Sequence, residues 1–106
     1  MKYTTVLTIA GSDSGGGAGI QADIKTISAI GCYSASAITA ITAQNTCGVN
    51  AIQTLSPQIV KEQIESVATD IEIDAIKIGM VSEPDIIEVI SDFIKDINNI
   101  PIVFDP

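Results

Sequence analysis

Ile9-Ala10-Gly11-Ser12-Asp13-Ser14-Gly15-Gly16-Gly17-Ala18-Gly19-Ile20-Gln21-Ala22-Asp23 is the stretch whose reading decides the fold of this chain. Just before and into it, Thr4 to Ala10 is apolar and β-branched and reads as a buried strand. Gly11, Gly15, Gly16, Gly17 and Gly19 then make a loop, and a helical pattern follows at once. Glycine admits positive φ and, lacking Cβ, lets a ligand touch the backbone. The first N–H groups of a helix have no partner inside it, so strand, glycine loop and helix start together predict a site for an anion or a polar ligand.

Asp23 sharpens that reading. With the helix starting near Ile20, residues Ile20, Ile24, Ile27 and Ile30 fall on one stripe roughly 120° wide at 100° per residue. Asp23 lies inside the stripe, whereas Gln21 and Lys25 lie outside it. An acid on a buried face is costly unless something bonds it. Either Asp23 sits in the first turn and complements the helix dipole, or it faces the loop cavity and bonds a ligand; the pattern leans to the second.

Outward from this stretch the chain alternates strand and helix. Gly31 reads as the C′ residue of the first helix. Tyr33 to Ala43, rich in β-branched and small residues, reads as a second buried strand, with polar positions 36, 39 and 42 recurring every three residues. It ends in the turn formers Gln44-Asn45-Thr46-Cys47-Gly48, and Val49 to Leu55 reads as a short edge strand. Ser56-Pro57 marks a helix start, with Val60, Ile64, Val67, Ala68 and Ile71 at helical spacing. Ala75 to Val81 is the next strand, and Ser82-Glu83-Pro84-Asp85 opens a third helix in a capping-box pattern. Its stripe is Ile86, Val89, Ile90, Phe93, Ile94 and Ile97, ended by Asn98-Asn99; Pro101 to Phe104 is a last strand before Asp105-Pro106.

Strands joined through helices pair in parallel by right-handed crossovers, and strands covered on both faces read as continuous apolar runs. The expectation is one α/β domain over residues 1–106, three layers (α/β/α) around a mostly parallel sheet. A chain that stops at the tip of a core strand reads as the N-terminal part of a longer protein.

In open α/β sheets ligands bind beyond the C-terminal strand ends. There lie the glycine loop after the first strand, Gln44 after the second, Met80 after the next and Asp105 after the last. Each has a plainer reading. Gln44 can cap a strand and turn, or present one acceptor and two donors to a heterocycle beside Asp23. Met80 is more often core than ligand wall, yet its soft thioether suits an aromatic face. Asp105 can be a strand-end turn, or hold Mg²⁺ through water.

Composition excludes several classes. The 106 residues are 46% hydrophobic, enough for a modest core, and carry a net charge of −8. Nucleic-acid binding would need a basic patch. No apolar run reaches the length of a membrane span, and Met1-Lys2-Tyr3-Thr4 runs straight into the first strand without the apolar core of a leader, so no cleavable leader is expected. There is no histidine, and Cys32 and Cys47 match no zinc spacing, so the expectation is two reduced thiols in a cytoplasmic protein. Gly17-Ala18-Gly19-Ile20-Gln21-Ala22 fits the dinucleotide fingerprint, but Ser36 to Asn45 holds no acid for a ribose. A P-loop would need a lysine directly after the glycines, and none lies between Lys2 and Lys25.

The run Leu7 to Thr26, containing Ala10-Gly11-Ser12-Asp13-Ser14-Gly15-Gly16-Gly17-Ala18-Gly19-Ile20-Gln21-Ala22-Asp23, resembles the hydroxymethylpyrimidine/phosphomethylpyrimidine kinases of thiamine biosynthesis. Thr42-Ala43-Gln44-Asn45-Thr46-Cys47-Gly48-Val49 and Lys77-Ile78-Gly79-Met80 are similar to that family's second and third motifs. Gly15-Gly16-Gly17 departs from the commoner Pro-Ser-Gly-Gly type of loop. The resemblance implies a ribokinase-like fold and transfer of the ATP γ-phosphate to 4-amino-5-hydroxymethyl-2-methylpyrimidine and then to its monophosphate. It implies that Asp23 and Gln44 bond the aminopyrimidine, that Gly11, Ala18 and Met80 line its pocket, and that Asp105 sits near Mg²⁺ and the phosphates. The full-length protein is expected to be a homodimer. The family's catalytic base is an Asp in a Gly-Thr-Gly anion hole towards the C-terminus, absent from these residues, so the chain is expected to carry the pyrimidine pocket without catalytic residues. A pyridoxal-type kinase of the same superfamily and a non-catalytic pyrimidine-binding module are the alternatives.

Overall fold

The computed structural model describes residues 3–105; Met1, Lys2 and Pro106, and with them the expected Asp105–Pro106 turn, lie outside the described residues. The elements in chain order are β1 (Thr5–Ala10), α1 (Gly19–Ala29), β2 (Tyr33–Ile38), β3 (Ala40–Asn45), β4 (Gly48–Thr54), α2 (Pro57–Asp70), β5 (Ala75–Ile78), α3 (Pro84–Ile94) and β6 (Ile102–Phe104). The main sheet is four-stranded in the order β2-β1-β5-β6, every pair parallel.

Alternation along the strands sorts the side chains into two faces. Leu7 and Ile9 of β1, opposite Ala35 and Ala37 of β2 and Ile76 and Ile78 of β5, form one face. They pack with Val60 and Ile64 of α2 and Ile86 and Ile90 of α3 into the hydrophobic core. Thr8 and Lys77, neighbours in register, point to the other face, where Asp23 of α1 bonds both. α1 therefore covers one side of the sheet and α2 and α3 the other, the three layers the alternating pattern predicts.

The helix ends follow local chemistry in part. Ser56 caps α2 by accepting from the Ile59 N–H at 3.3 Å, with Pro57 at the first helical position. The expected capping box at α3 does not form. Glu83 is the N-cap without a side-chain bond, and only its carbonyl accepts from Ile86 and Ile87. Pro84 sets the helical φ there by itself. Of the predicted α1 stripe, Ile20 and Ile27 are buried and Ile24 is half-buried, whereas Ile30 falls on the C-cap and is 71% exposed.

Two strand assignments need correction. The single strand expected over 33–43 is broken at Thr39, which is buried between two sheets. Its N–H donates to Ala10 and its carbonyl accepts from Leu55. Beyond it the chain leaves the main sheet as β3, whose partner is β4, antiparallel, in a separate two-stranded sheet. Val49 to Leu55 is thus the return arm of a hairpin, not an edge of the main sheet. The Gln63 amide closes the open end of β2, accepting from the Ile38 N–H and donating to its carbonyl, both at 2.9 Å.

Candidate functional site at the strand tips

The glycine loop is organised by its own acid. Asp13 is only 5% exposed, and its carboxylate accepts from the N–H groups of Gly15 at 2.8 Å, Gly17 at 3.0 Å and Ala18 at 2.8 Å. Its own N–H is held at 2.7 Å by the Gln21 side chain, whose amide donates to Ser12. Short Asp side chains favour such bonds to the following backbone. The consequence is chemical: N–H groups expected to be free for an anion already hold one, so the loop does not read as a phosphate cradle. Gly19 is irreplaceable for geometry, with φ +60° and no room for a Cβ against the Gly11 carbonyl. That carbonyl also accepts from Ile20 at 2.9 Å, which clamps the start of α1 onto the tip of β1.

The hairpin is stitched to the same loop. Ser12 donates through its N–H to Ala40, and the Thr42 hydroxyl donates to the Ser12 carbonyl at 2.7 Å. Ser14 and the Gln44 backbone exchange two bonds, at 2.6 and 2.7 Å. The pairing of β3 with β4 shifts register between Ala43 and Gln44, where Asn50 of β4 has no opposite partner, a bulge beside Gln44 of the kind that re-aims a side chain.

Between these parts lies a hollow of about 210 Å³, lined by Gly11 at the tip of β1, Thr39, Ala40, Thr42, Ile52 and Thr54 of the hairpin segment, and Met80 to Glu83 with Ile86. Sites for drug-sized ligands run to about 300–1,000 Å³, so a single small ring suits this space and a dinucleotide does not. A larger groove of about 720 Å³ runs between α2 and α3, floored by Ile64, Val89, Phe93 and Ile97 and rimmed by Glu65, Asp85, Glu88, Asp92 and Asp96. It contains none of the strand-tip residues, and the strand tips are where an α/β sheet gathers polar groups.

The residues singled out from sequence divide in three. Gly11 and Met80 line the hollow, Met80 with 69% of its surface exposed, so it is wall and not core. Gln44 stands beside it: its Oε1 lies 3.3 Å from the hydroxyl of the lining Thr42, and its amide N–H groups have no partner among the described residues. Ala18 is exposed on the glycine loop, outside the lining.

Asp23 is likewise outside that lining. It faces Thr8, whose hydroxyl donates at 2.6 Å, and Lys77, whose ammonium lies 3.0 Å from both carboxylate oxygens. Asp105 is exposed at the end of β6, its N–H donating to Ile78 at 2.9 Å and its carboxylate without a protein partner among the described residues. No group of three His, Cys, Asp or Glu side chains suited to a metal occurs among the described residues. Sequence reading missed Lys77 and Asp13. A lone lysine inside an apolar strand demands an acid, and Asp23 on a buried stripe demands a cation; that mutual need was the signal.

The chain is 52% identical over 92 residues to the hydroxymethylpyrimidine/phosphomethylpyrimidine kinase of Salmonella typhimurium, a match covering 87% of this chain and 35% of that protein. Among solved structures, the phosphomethylpyrimidine kinase of Clostridium difficile superposes with a TM-score of 0.92 at 59% identity, over 97% of this chain and 45% of that one. The pyridoxal kinase of Staphylococcus aureus, solved with AMP-PCP and pyridoxal, gives 0.85 at 36% identity, over 99% of this chain and 40% of that one. This chain thus spans roughly a third to a half of the relatives' length, and the likeness to both kinases extends to the ribokinase-like α/β fold. A sequence profile of the phosphomethylpyrimidine kinase family matches residues 13–106, and with a match over nearly its whole length the chain belongs to that family.

Proposed function

We propose that this chain forms the pyrimidine-binding part of a kinase that moves the γ-phosphate of ATP to the hydroxymethyl group of 4-amino-5-hydroxymethyl-2-methylpyrimidine and then to its monophosphate, in thiamine biosynthesis. The observation that carries the reading is the small hollow between Gly11 and Met80 with the uncommitted Gln44 amide at its edge. The absence of Cβ at Gly11 lets a flat ring approach the backbone. The Met80 thioether offers a polarizable face to that ring. Gln44 donates to a ring nitrogen; Ala18 and Asp23 stand outside the lining of the hollow and meet the ring only where it extends towards α1, with Asp23 there accepting from the exocyclic amine.

The phosphate end is supplied differently. With Asp13 filling the glycine loop, anionic groups need a cation. Mg²⁺ commonly binds through one or two carboxylates, substrate phosphates and water. Asp105, unpartnered at a strand tip, fits one of those positions. When bound, the metal supplies charge neutralisation for the phosphates. No Gly-Thr-Gly segment occurs in the sequence, so residues 1–106 contribute binding and no catalytic base. The exposed apolar side chains of the hairpin, Ile41, Val49 and Ile52, suit burial against a second subunit of the full-length protein. No helix is long and apolar enough to cross a membrane among the described residues, and both cysteines are free thiols, which suits a cytoplasmic enzyme.

The test is turnover. The full-length protein with ATP and Mg²⁺ should phosphorylate the pyrimidine alcohol, and residues 1–106 alone should not. The second reading, a pyridoxal-type kinase, draws on the likeness to the Staphylococcus aureus enzyme. Preference for pyridoxal over the pyrimidine alcohol in the same assay would replace the first reading by the second. Saturable pyrimidine binding without turnover in the full-length protein would leave only a binding module.

A further inference from the structure

Asp23 is not a free carboxylate. Its Oδ2 accepts from the Thr8 hydroxyl at 2.6 Å, and the Lys77 ammonium lies 3.0 Å from Oδ1 and Oδ2 alike. The three residues come from three elements: Thr8 from β1, Lys77 from its register partner in β5, and Asp23 from one turn into α1. Thr8 is fully buried, and the side chains of Lys77 and Asp23 are 24% and 15% exposed. The ammonium reaches the end of its strand, 3.6 Å from where a Cβ on Gly79 would stand, one residue before Met80.

A carboxylate has about four acceptor positions. Three are used here, two on Oδ2 and one on Oδ1, which leaves one on Oδ1 for a ligand donor. Removing Lys77 leaves a part-buried carboxylate without its counter-charge, the costly way to break such a pair.

We propose that Lys77, backed by Thr8, is the positioning residue that holds the Asp23 carboxylate with one Oδ1 position available to the amine of the substrate. This rests on the reading of Asp23 as a contact of the aminopyrimidine. Lys77 acts through Asp23, so its effect falls on the pyrimidine side and disappears when Asp23 can no longer act.

The experiment is a double-mutant cycle in the full-length protein, with D23N, K77M and the double variant read by the KM for the pyrimidine alcohol and the KM for ATP. A hydrogen bond to a charged group supports a change of roughly tenfold to a hundredfold. D23N and K77M should each raise the pyrimidine KM by about that factor and leave the ATP KM within about twofold, and the double variant should match D23N alone. K77R, which can still place two N–H bonds on a carboxylate, should recover most of the loss. If K77M does not fold, T8V keeps the shape, removes one of the three bonds, and carries the same one-sided expectation at a few-fold. D23N raising the pyrimidine KM while K77M or T8V leaves it unchanged overturns the Lys77 inference alone. Additive effects, or a rise in both KM values together, make Lys77 merely structural and overturn it too. A protein that does not turn over the pyrimidine, or whose pyrimidine KM ignores D23N, overturns the reading of Asp23 and this inference with it.

Discussion

Replacing Asp13 by Asn tests whether the glycine loop is built around its own anion. The carboxylate accepts from Gly15 through Oδ1 and from Gly17 and Ala18 through Oδ2. An Asn side chain has one oxygen, so one side of this fan must face an NH₂ group that cannot accept. If the oxygen turns towards Gly17 and Ala18, two bonds survive as neutral ones and the Gly15 N–H is lost. If it turns the other way, two are lost. A hydrogen bond to a charged group contributes about 1.5–3 kcal/mol net, and a buried donor left without an acceptor costs about 1–3 kcal/mol. Gly15, Gly17 and Ala18 are exposed as residues, so water recovers part of the loss, and the favoured orientation keeps two bonds. The expected net destabilisation of Asp13→Asn is about 2 kcal/mol, with about 3 kcal/mol as the upper end. That is a large share of the roughly 5–15 kcal/mol by which domains are stable. Urea unfolding followed by far-ultraviolet circular dichroism reads it as a lower midpoint at unchanged slope. A loss under about 0.5 kcal/mol, the range of ordinary surface changes, would refute the carboxylate as organiser of the loop.

Gly19→Ala should destabilise by at least about 2 kcal/mol: the left-handed conformation costs a non-glycine residue about 1–2 kcal/mol, and the added Cβ meets the Gly11 carbonyl; thermal unfolding measures it. Ser56→Ala removes the cap of α2 and should cost about 1 kcal/mol in the same experiment, without touching substrate KM values. Gln44→Leu should raise the pyrimidine KM about tenfold or more, the cost of losing a hydrogen bond made in a closed site, while the ATP KM stays put.

Much of the fold was legible because its signals were local. Thr5–Ala10 and Ala75–Ile78 announce themselves as apolar runs, and Ser56-Pro57 and the isoleucine stripe of α3 follow helical rules that need no tertiary knowledge. The hairpin was less legible, because Tyr33 to Ala43 is uniformly small and apolar and the break at Thr39 comes from its bonds to Ala10 and Leu55, residues far apart in sequence. The end of β5 was overextended for a related reason. At Gly79, whose N–H still donates to Ile9, a Cβ would lie 2.8 Å from the Cβ of Ala10, a close approach to the neighbouring strand that no periodicity encodes.

Legibility of the site was uneven in the same way. The strand-tip rule brought Gly11, Met80 and Gln44 to one rim. It did not reveal which bonds the acids already make. Asp13 precedes a glycine run in the manner of a loop-closing acid, but the three N–H groups it collects are set by the three-dimensional path of the loop. Asp23 and Lys77 are 54 residues apart, and only the parallel pairing of β1 with β5 beneath α1 makes them partners.

The most direct measurement follows the backbone amides of the full-length protein while the pyrimidine alcohol is titrated in. The account predicts saturable shifts at Gly11, Gln44 and Met80, with Val89 and Phe93 of the α2–α3 groove unmoved. Shifts confined to that groove, or none at the strand tips at saturating pyrimidine, would contradict it.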